Sequence, residues 1–228
     1  MLVLAVDTTT PGGSVALLED EKLLGEVGVE SAATHSARLL RAVDFLIGAH
    51  NRDIKEVDAF AVAAGPGSFT GIRIGLGAVK ALSFASAKPV APVSTLVALA
   101  TKLAADGTRL AAPLLDAKKG EIYAALFEAG RTGLKEIIPQ GAYGPDEFFV
   151  RLPSRRVIAF AGSGVAAYRA KLLPYIRDKA RFPRRSPFIA AEVGRIGRSI
   201  VLEGRGVAAA ALEPIYFRRS QAEETCRS

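Results

Sequence analysis

Two short segments of the chain combine residue types that could bind a phosphate or a metal ion. In the first, Asp7 ends an apolar run and is followed by the hydroxyl side chains of Thr8 and Thr9. A carboxylate beside small and hydroxyl-bearing residues can hold a phosphate through a bound Mg²⁺. Asp, Thr and Gly are also the residue types that favour a tight turn. Two interpretations therefore stay open for this segment, a phosphate site and a purely structural turn.

The second segment is a Gly-Pro-Gly-Ser turn between an apolar strand and a helix. Gly65 and Gly67 permit backbone angles that other residues resist, and Ser68 is a good N-cap for the helix. A helix start presents free N–H groups and the positive end of a dipole, which can hold an anion. A well-capped turn without a ligand is the alternative. The candidate phosphate or anion site consists of Asp7, Thr8, Thr9, Gly65, Gly67 and Ser68.

Other familiar catalytic patterns are missing from the sequence. The two histidines, His35 and His50, are too far apart for one helix to use both as metal ligands, and there is no cysteine cluster to help them. The sequence also lacks His-Glu-x-x-His, Gly-x-Ser-x-Gly and the Walker A pattern. We therefore expect no metal site in this chain, and neither a zinc peptidase nor a P-loop NTPase.

The helix that follows Ser68 has two apolar faces. At about 100° per residue, Ile72, Leu76 and Val79 share one side. A second, nearly opposite face consists of Ile74, Ala78, Ala81 and Ala85. Because a surface helix normally carries one apolar stripe, this helix either lies in the middle of the core or contacts a partner. The small residues of the second face permit close helix–helix approach, which favours a partner.

The predicted elements form two successive units, 1–108 and 109–228. The first has strands at 2–6, 14–18, 22–29, 57–63 and 90–93, with helices at 31–50, 68–85 and 94–105. The second has strands at 111–116, 121–127, 157–161 and 214–217, with helices at 145–151, 165–173 and 186–202. The last helix is expected to use Ser186 as its N-cap and Pro187 as its first residue. Three sequential strands followed by alternating helices and strands predict an antiparallel meander extended by parallel crossovers.

Composition narrows the class of protein. The apolar runs are too short for a membrane span, the N-terminus lacks the features of a signal peptide, and one cysteine excludes a disulfide framework. We therefore expect a cytoplasmic protein. Residues 1–114 carry 10 Lys and Arg against 11 Asp and Glu, whereas residues 115–228 carry 20 against 12. The basic second half could attract nucleic acid, or it could be a solvated basic face.

Several motifs together resemble the TsaB (YeaZ) family. The most specific is the block from Gly65 to Gly75, Gly-Pro-Gly-Ser-Phe-Thr-Gly-Ile-Arg-Ile-Gly. The supporting motifs are Leu4-Ala-Val-Asp7-Thr-Thr, His35-Ser36 before Leu39-Leu40, Ser94-Thr-Leu, Asp116-Ala-Lys-Lys-Gly-Glu-Ile-Tyr123, Gly162-Ser-Gly164 and Pro214-Ile-Tyr-Phe-Arg218. They span nearly the whole chain. One departure is Arg38, which stands where an acidic residue is frequent in the family.

The resemblance implies an actin/hexokinase-like (ribonuclease H-like) α/β fold of two lobes. It also implies a scaffold without catalytic activity that acts with TsaD and TsaE to form threonylcarbamoyladenosine on tRNA, next to the anticodon. ATP and metal are then expected on those partners and no cofactor on this chain. TsaD, or a second copy when the chain is alone, is expected to bind the first two helices, at His35, Leu39, Ile74, Ala78, Ala81 and Ala85. In that scheme a basic patch faces the tRNA, formed by Arg155, Arg156, Arg184 and Arg185.

Two other functions compete with the scaffold. An ATP-dependent small-molecule kinase of the same fold would use Asp7 and the following threonines for phosphate and magnesium. Such an enzyme also needs a general base near the γ-phosphate, and the sequence offers no obvious one. A stand-alone RNA-binding protein would instead use the basic second half, with an affinity that depends steeply on salt.

Overall fold

The computed structural model describes residues 1–10, 12–30, 35–105, 107–131 and 133–217. Contacts divide the chain into two units. The first contains Met1–Ala98 and Ser186–Ile215, and the second contains Leu99–Arg185 together with the end of the described chain from Tyr216. The predicted division at residue 108 stays a prediction, and it did not include the return of Ser186–Ile215 to the first unit.

The first unit is built on a five-stranded mixed sheet in the order β3-β2-β1-β4-β5. Its strands are β1 (Leu2–Asp7), β2 (Gly12–Glu19), β3 (Lys22–Glu30), β4 (Ala59–Gly65) and β5 (Val90–Ser94). Its helices are α1 (His35–Ala49), α2 (Phe69–Ser86) and α6 (Ala190–Leu202), and α3 (Thr95–Ala104) begins here and continues into the second unit. Strand β1 runs antiparallel to β2 and parallel to β4, as the predicted meander with crossovers requires.

Helices cover both faces of this sheet. Leu4 and Phe60 point to the face that carries α1 and α2, where Leu46 and Leu76 complete the core. Ala5 and Ala61 point to the other face, where α6 approaches so closely that a Cβ on its Gly194 or Gly197 would overlap sheet side chains. Burial on both faces explains why β1 and β4 are continuous apolar runs rather than alternating ones.

The second unit repeats the same topology with the order β10-β9-β6-β7-β8. Its strands are β6 (Leu110–Lys118), β7 (Glu121–Gly130), β8 (Gly133–Tyr143), β9 (Ile158–Ala161) and β10 (Ala180–Arg181), and its helices are α4 (Pro145–Val150) and α5 (Gly164–Ile176). Strand β6 is antiparallel to β7 and parallel to β9. The predicted fold class, mixed sheets with a meander and parallel strands flanked by helices, is confirmed.

Several predicted element boundaries are wrong. Strands β8 and β10 were not predicted, and no strand forms at Pro214–Phe217, where Ile215 N donates a 2.7 Å hydrogen bond to the Ala64 carbonyl. Helix α6 begins at Ala190 and not at Ser186. Its first amides are satisfied from a distant hairpin, because Ala190 N donates to Ser14 Oγ at 3.1 Å and Ala191 N donates to Glu26 Oε1 at 3.0 Å.

Within the described residues, none of the helices combines the length and the apolar character that a membrane crossing requires.

Candidate functional site

The Gly-Pro-Gly-Ser turn joins β4 to α2 as the sequence predicts. Gly65 has φ +120°, a conformation that side chains other than glycine's rarely adopt. Ser68 is the N-cap of α2, and its hydroxyl accepts a 3.2 Å hydrogen bond from Gly71 N. The turn therefore fixes the position and direction of the first turn of α2.

The turn between β1 and β2 packs directly on this helix start. Ser68 N donates a 2.7 Å hydrogen bond to the carbonyl of Thr9, and Thr8 Oγ1 donates a 2.7 Å hydrogen bond to the carbonyl of Gly71. A Cβ on Gly71 would overlap the Thr8 carbonyl oxygen, and one on Gly67 would lie 2.5 Å from the Thr9 carbonyl oxygen. The threonine turn thus fills the space in front of the helix and uses the Ser68 amide.

Asp7 lies behind that turn and is fully buried. Its Oδ1 accepts hydrogen bonds from Thr9 N at 2.8 Å and from Thr9 Oγ1 at 2.7 Å. Its Oδ2 has no hydrogen-bond partner among the described residues. Burial raises the pKa of Asp7 to about 6, against the two Thr9 hydrogen bonds, which lower it, and with a small contribution from the negative charge of Glu26, which raises it.

These contacts bring the predicted phosphate-site residues together but leave little room between them. The carboxylate of Asp7 holds Thr9, Thr9 holds the amide of Ser68, and Gly65 packs against the carbonyl of Ile215. In this arrangement the cluster locks the β1–β2 turn to the start of α2. Anion binding here stays a prediction. Across the described ranges, no group of three or more His, Cys, Asp or Glu side chains is placed to hold a metal ion.

Helix α2 is buried on the side that the sequence indicates. Ile72, Leu76 and Val79 are at most 5% exposed and belong to the core of the first unit. The other predicted face, which we call the outer stripe, consists of Ile74, Ala78, Ala81 and Ala85. Its first two residues are half-buried at the edge of the core, and its last two are exposed. Gly77 is exposed beside it with open space around its Cα.

Helix α1 differs from the prediction at its predicted interface residue. Leu39 is 2% exposed and packs in the core, whereas the adjacent Leu40 is 48% exposed. Phe45 on the same helix is 63% exposed, and Phe84 near the end of α2 is 86% exposed. His35 begins α1, and its side chain lies outside the described part of the structure.

The exposed leucine and phenylalanines were not predicted, although helical spacing contains part of the signal. Leu40 lies about 100° around the helix from Leu39, at the margin of the buried stripe. Phe84 lies beside the polar residues of α2 rather than on either apolar face. The spacing alone does not show that either side chain is exposed, because the neighbouring elements determine how wide the buried stripe of each helix is.

The four predicted basic residues are all exposed in the second unit. They differ in their partners. Arg156 Nη2 lies 2.7 Å from Glu128 Oε1 in an ion pair. Arg155 and Arg184 have no ion pair within the described ranges. Two further arginines that the sequence did not single out as site residues, Arg151 and Arg169, lie over aromatic rings.

Comparison with known proteins places these features in a family. A family model described as "TsaD: tRNA N6-adenosine threonylcarbamoyltransferase" matches residues 22–183. The Haemophilus influenzae "tRNA threonylcarbamoyladenosine biosynthesis protein TsaB" is 32% identical over 178 residues, which is 74% of each chain. The proteins of that name from Bacillus subtilis and Escherichia coli are also 32% identical, over 61% and 59% of this chain. Those two alignments span 60% and 58% of the relatives' own length.

Solved structures agree with the sequence relatives. A crystal structure of a Pseudomonas aeruginosa protein described as similar to peptidase YeaZ has a TM-score of 0.84 and 29% identity, covering 95% of this chain and 99% of that one. YeaZ from Pseudomonas aeruginosa has a TM-score of 0.79 and 28% identity, covering 94% and 99%. A component of an Acidaminococcus fermentans dehydratase shares only the fold, with a TM-score of 0.52 and 6% identity over 89% of this chain and 99% of that one. The chain belongs to the TsaB (YeaZ) family.

Proposed function

We propose that the chain is a non-catalytic scaffold subunit in the formation of threonylcarbamoyladenosine on tRNA, next to the anticodon. It acts with a TsaD-like and a TsaE-like protein, which carry the ATP and the metal. The names of its relatives support this pathway, since three of them are threonylcarbamoyladenosine biosynthesis proteins. The matching family model is itself named for a threonylcarbamoyltransferase.

The observation that carries the scaffold role is the second apolar face of α2, which the first unit leaves partly open. Its inner face is complete within the first unit, yet Ala81 and Ala85 on the outer stripe remain exposed and carry no polar group. Alanines and the open Gly77 allow another helix to approach the α2 backbone closely. The proposed occupant of this stripe is the TsaD-like protein, or a second copy of the chain when that protein is absent.

Exposed side chains of the first two helices extend the proposed interface. Leu40 replaces the buried Leu39 as the α1 leucine available to a partner, and Phe45 and Phe84 add large apolar surface. Aromatic side chains at the centre of an interface contribute strongly to binding because they bury a large area with few rotatable bonds. The buried residues Asp7, Thr8 and Thr9 support this proposal indirectly, because their hydrogen bonds fix the start of α2.

Reconstitution of tRNA modification tests the proposed function. The chain is purified with the TsaD-like and TsaE-like proteins of the same organism, and threonylcarbamoyladenosine is measured on an unmodified tRNA transcript. We expect modification with all three proteins and a severe loss when this chain is omitted. Full modification without the chain, or modification by the chain alone, would contradict the proposal.

A further inference from the structure

The second unit concentrates positive charge in one stretch. Residues 151–185 contain ten Lys and Arg and a single acidic residue, Asp178. Three of the ten cations form ion pairs with carboxylates at 2.7–2.8 Å, namely Arg156, Lys171 and Lys179. Such pairs cancel much of the charge that a distant anion would feel. The remaining residues decide what this surface can bind.

Apart from Arg151, which lies over the Tyr143 ring, five exposed arginines in this stretch have no salt bridge to a carboxylate within the described ranges. We call them the basic strip: Arg155, Arg169, Arg177, Arg181 and Arg184. The strip differs from the patch predicted from sequence, because it omits the paired Arg156 and also Arg185 and adds Arg169, Arg177 and Arg181.

The parallel pairing of β9 and β10 gives the strip its layout. Ala180 lies opposite Ile158, so Arg155 and Arg177 both precede the paired strands at the same end. Arg177 begins a 3-10 turn (Arg177–Lys179) that leads into β10, Arg181 is the second residue of β10, and Arg184 lies three residues beyond it. The strip therefore extends along the edge of the second sheet rather than forming one point of charge.

Two of these arginines are held in place without losing charge. The guanidinium carbon of Arg169 lies 4.4 Å from the centre of the Phe182 ring. Arg181 Nη1 donates hydrogen bonds to the carbonyls of Asp178 at 2.7 Å and Ala180 at 3.2 Å. Ordering these side chains before binding reduces the entropy that a ligand must overcome.

A row of guanidinium groups that form no salt bridge with a carboxylate fits a polyanion with repeated phosphates. The aromatic ring within the strip does not offer a stacking surface for bases, because Phe182 already stacks on Phe160 at 5.8 Å and carries Arg169. Phosphates position an RNA without reading its sequence. We propose that the basic strip binds backbone phosphates of the tRNA substrate, independently of base sequence, an inference that rests on the proposed function.

The test measures tRNA binding by the assembled complex as a function of salt. An unmodified tRNA transcript is titrated with the complex at several salt concentrations between about 50 and 200 mM. The variant carries Arg169→Gln, Arg181→Gln and Arg184→Gln. We expect its affinity to fall about tenfold to a hundredfold at low salt, and the slope of log affinity against log salt to become shallower by about two.

The matched control removes three positive charges outside the strip, through Lys22→Gln, Lys55→Gln and Arg131→Gln. We expect its affinity to stay within about twofold of the wild type, because nonspecific long-range attraction is screened at these salt concentrations. Equal losses in both triple variants, or no loss in the strip variant, would overturn the proposal. The proposal would also be overturned if the strip variant lost binding to vesicles containing phosphatidylglycerol but kept its affinity for tRNA.

Co-purification in the same samples separates this proposal from the proposed function. If the complex assembles and modifies tRNA but the strip variant binds tRNA normally, only the strip proposal fails. If no complex assembles, the proposed function fails, and the same titration with the isolated chain then decides whether the strip binds RNA.

Discussion

Asp7 ends β1 with its carboxyl group enclosed and with hydrogen-bond donors from Thr9 on one of its oxygens. Leaving a buried polar atom unpaired costs free energy, and the cost is larger for a charged group. The raised pKa of about 6 reflects that cost. Asp7 therefore orders the turn through its hydrogen bonds with Thr9, but its buried charge lowers the free energy of unfolding at neutral pH.

Replacing Asp7 by Asn tests this interpretation through pH. Its folded pKa of about 6 exceeds the ordinary value of 3.8, so the folded chain binds more protons between these values. The free energy of unfolding contributed by Asp7 therefore falls as pH rises through this window. Asn keeps an acceptor for Thr9 and does not titrate. We therefore expect the free energy of unfolding of Asp7→Asn to exceed that of the wild type by up to about 3 kcal/mol at pH 7.

Urea unfolding of both proteins at pH 4.5 and pH 7 provides the measurement. The advantage of Asp7→Asn over the wild type should shrink at the lower pH, where the wild-type carboxyl becomes neutral. An advantage that grows on acidification would show that the ionised carboxylate stabilises the fold, whereas a variant destabilised equally at both values would show that titration of Asp7 makes no difference to stability.

The residues of the candidate site were predictable to different degrees. The sequence indicates Ser68 as an N-cap and Asp7 as a strand end, because both signals are local. Thr8 and Thr9 fill the space between them through contacts between residues that are distant in sequence, such as the hydrogen bond from Thr8 Oγ1 to the Gly71 carbonyl, which joins residues 63 positions apart. The exposure of Leu40 likewise depends on which elements α1 meets.

Among the helices and strands, α2 is the one on which the proposed scaffold role depends. Its start is fixed by close contacts with the β1–β2 turn, and its outer side is open. Two glycines of α2 distinguish its fixed start from its open outer side. Gly71 touches the Thr8 carbonyl, whereas nothing lies within 4 Å of a Cβ built on Gly77.

We expect Gly71→Ala and Gly77→Ala to change stability in opposite directions. The first forces the helix away from Thr8 and should lower the free energy of unfolding by about 2 kcal/mol. The second adds no clash and replaces a poor helix former, so it should raise stability by up to about 1 kcal/mol. Thermal unfolding of the two variants checks this. Equal destabilisation would mean that the contact with Thr8 is not tight.

The elements that the sequence did not reveal have weak local signals. Strand β8 is an edge strand with Pro139 and many exposed positions, so it lacks the apolar alternation of an inner strand. Helix α6 has no local cap signal at Ala190. Its first amides instead donate hydrogen bonds to Ser14 and Glu26 of the β2–β3 hairpin. Helix α6 thus depends on partners that are distant in sequence, whereas β8 pairs with the neighbouring β7 but carries a weak strand pattern.

At the scale of the whole molecule, the chain repeats one sheet topology in two units, each with a meander and two parallel strands. The order of predicted elements contained most of this pattern. The two units carry different surfaces. The first presents the outer stripe of α2, and the second presents the basic strip. A scaffold that holds a protein on one unit and tRNA on the other would use both.

The most direct test of the scaffold role is binding of the TsaD-like protein to Ala81→Glu. Ala81 is exposed, so the substitution should leave the chain folded while placing a charge on the outer stripe. The matched control is Ala167→Glu, at an exposed position of α5 in the second unit. We expect the Ala81→Glu variant to lose co-purification with the TsaD-like protein, with affinity at least about a hundredfold weaker, and the control to bind as the wild type does. Unchanged binding by a folded Ala81→Glu chain would contradict the account.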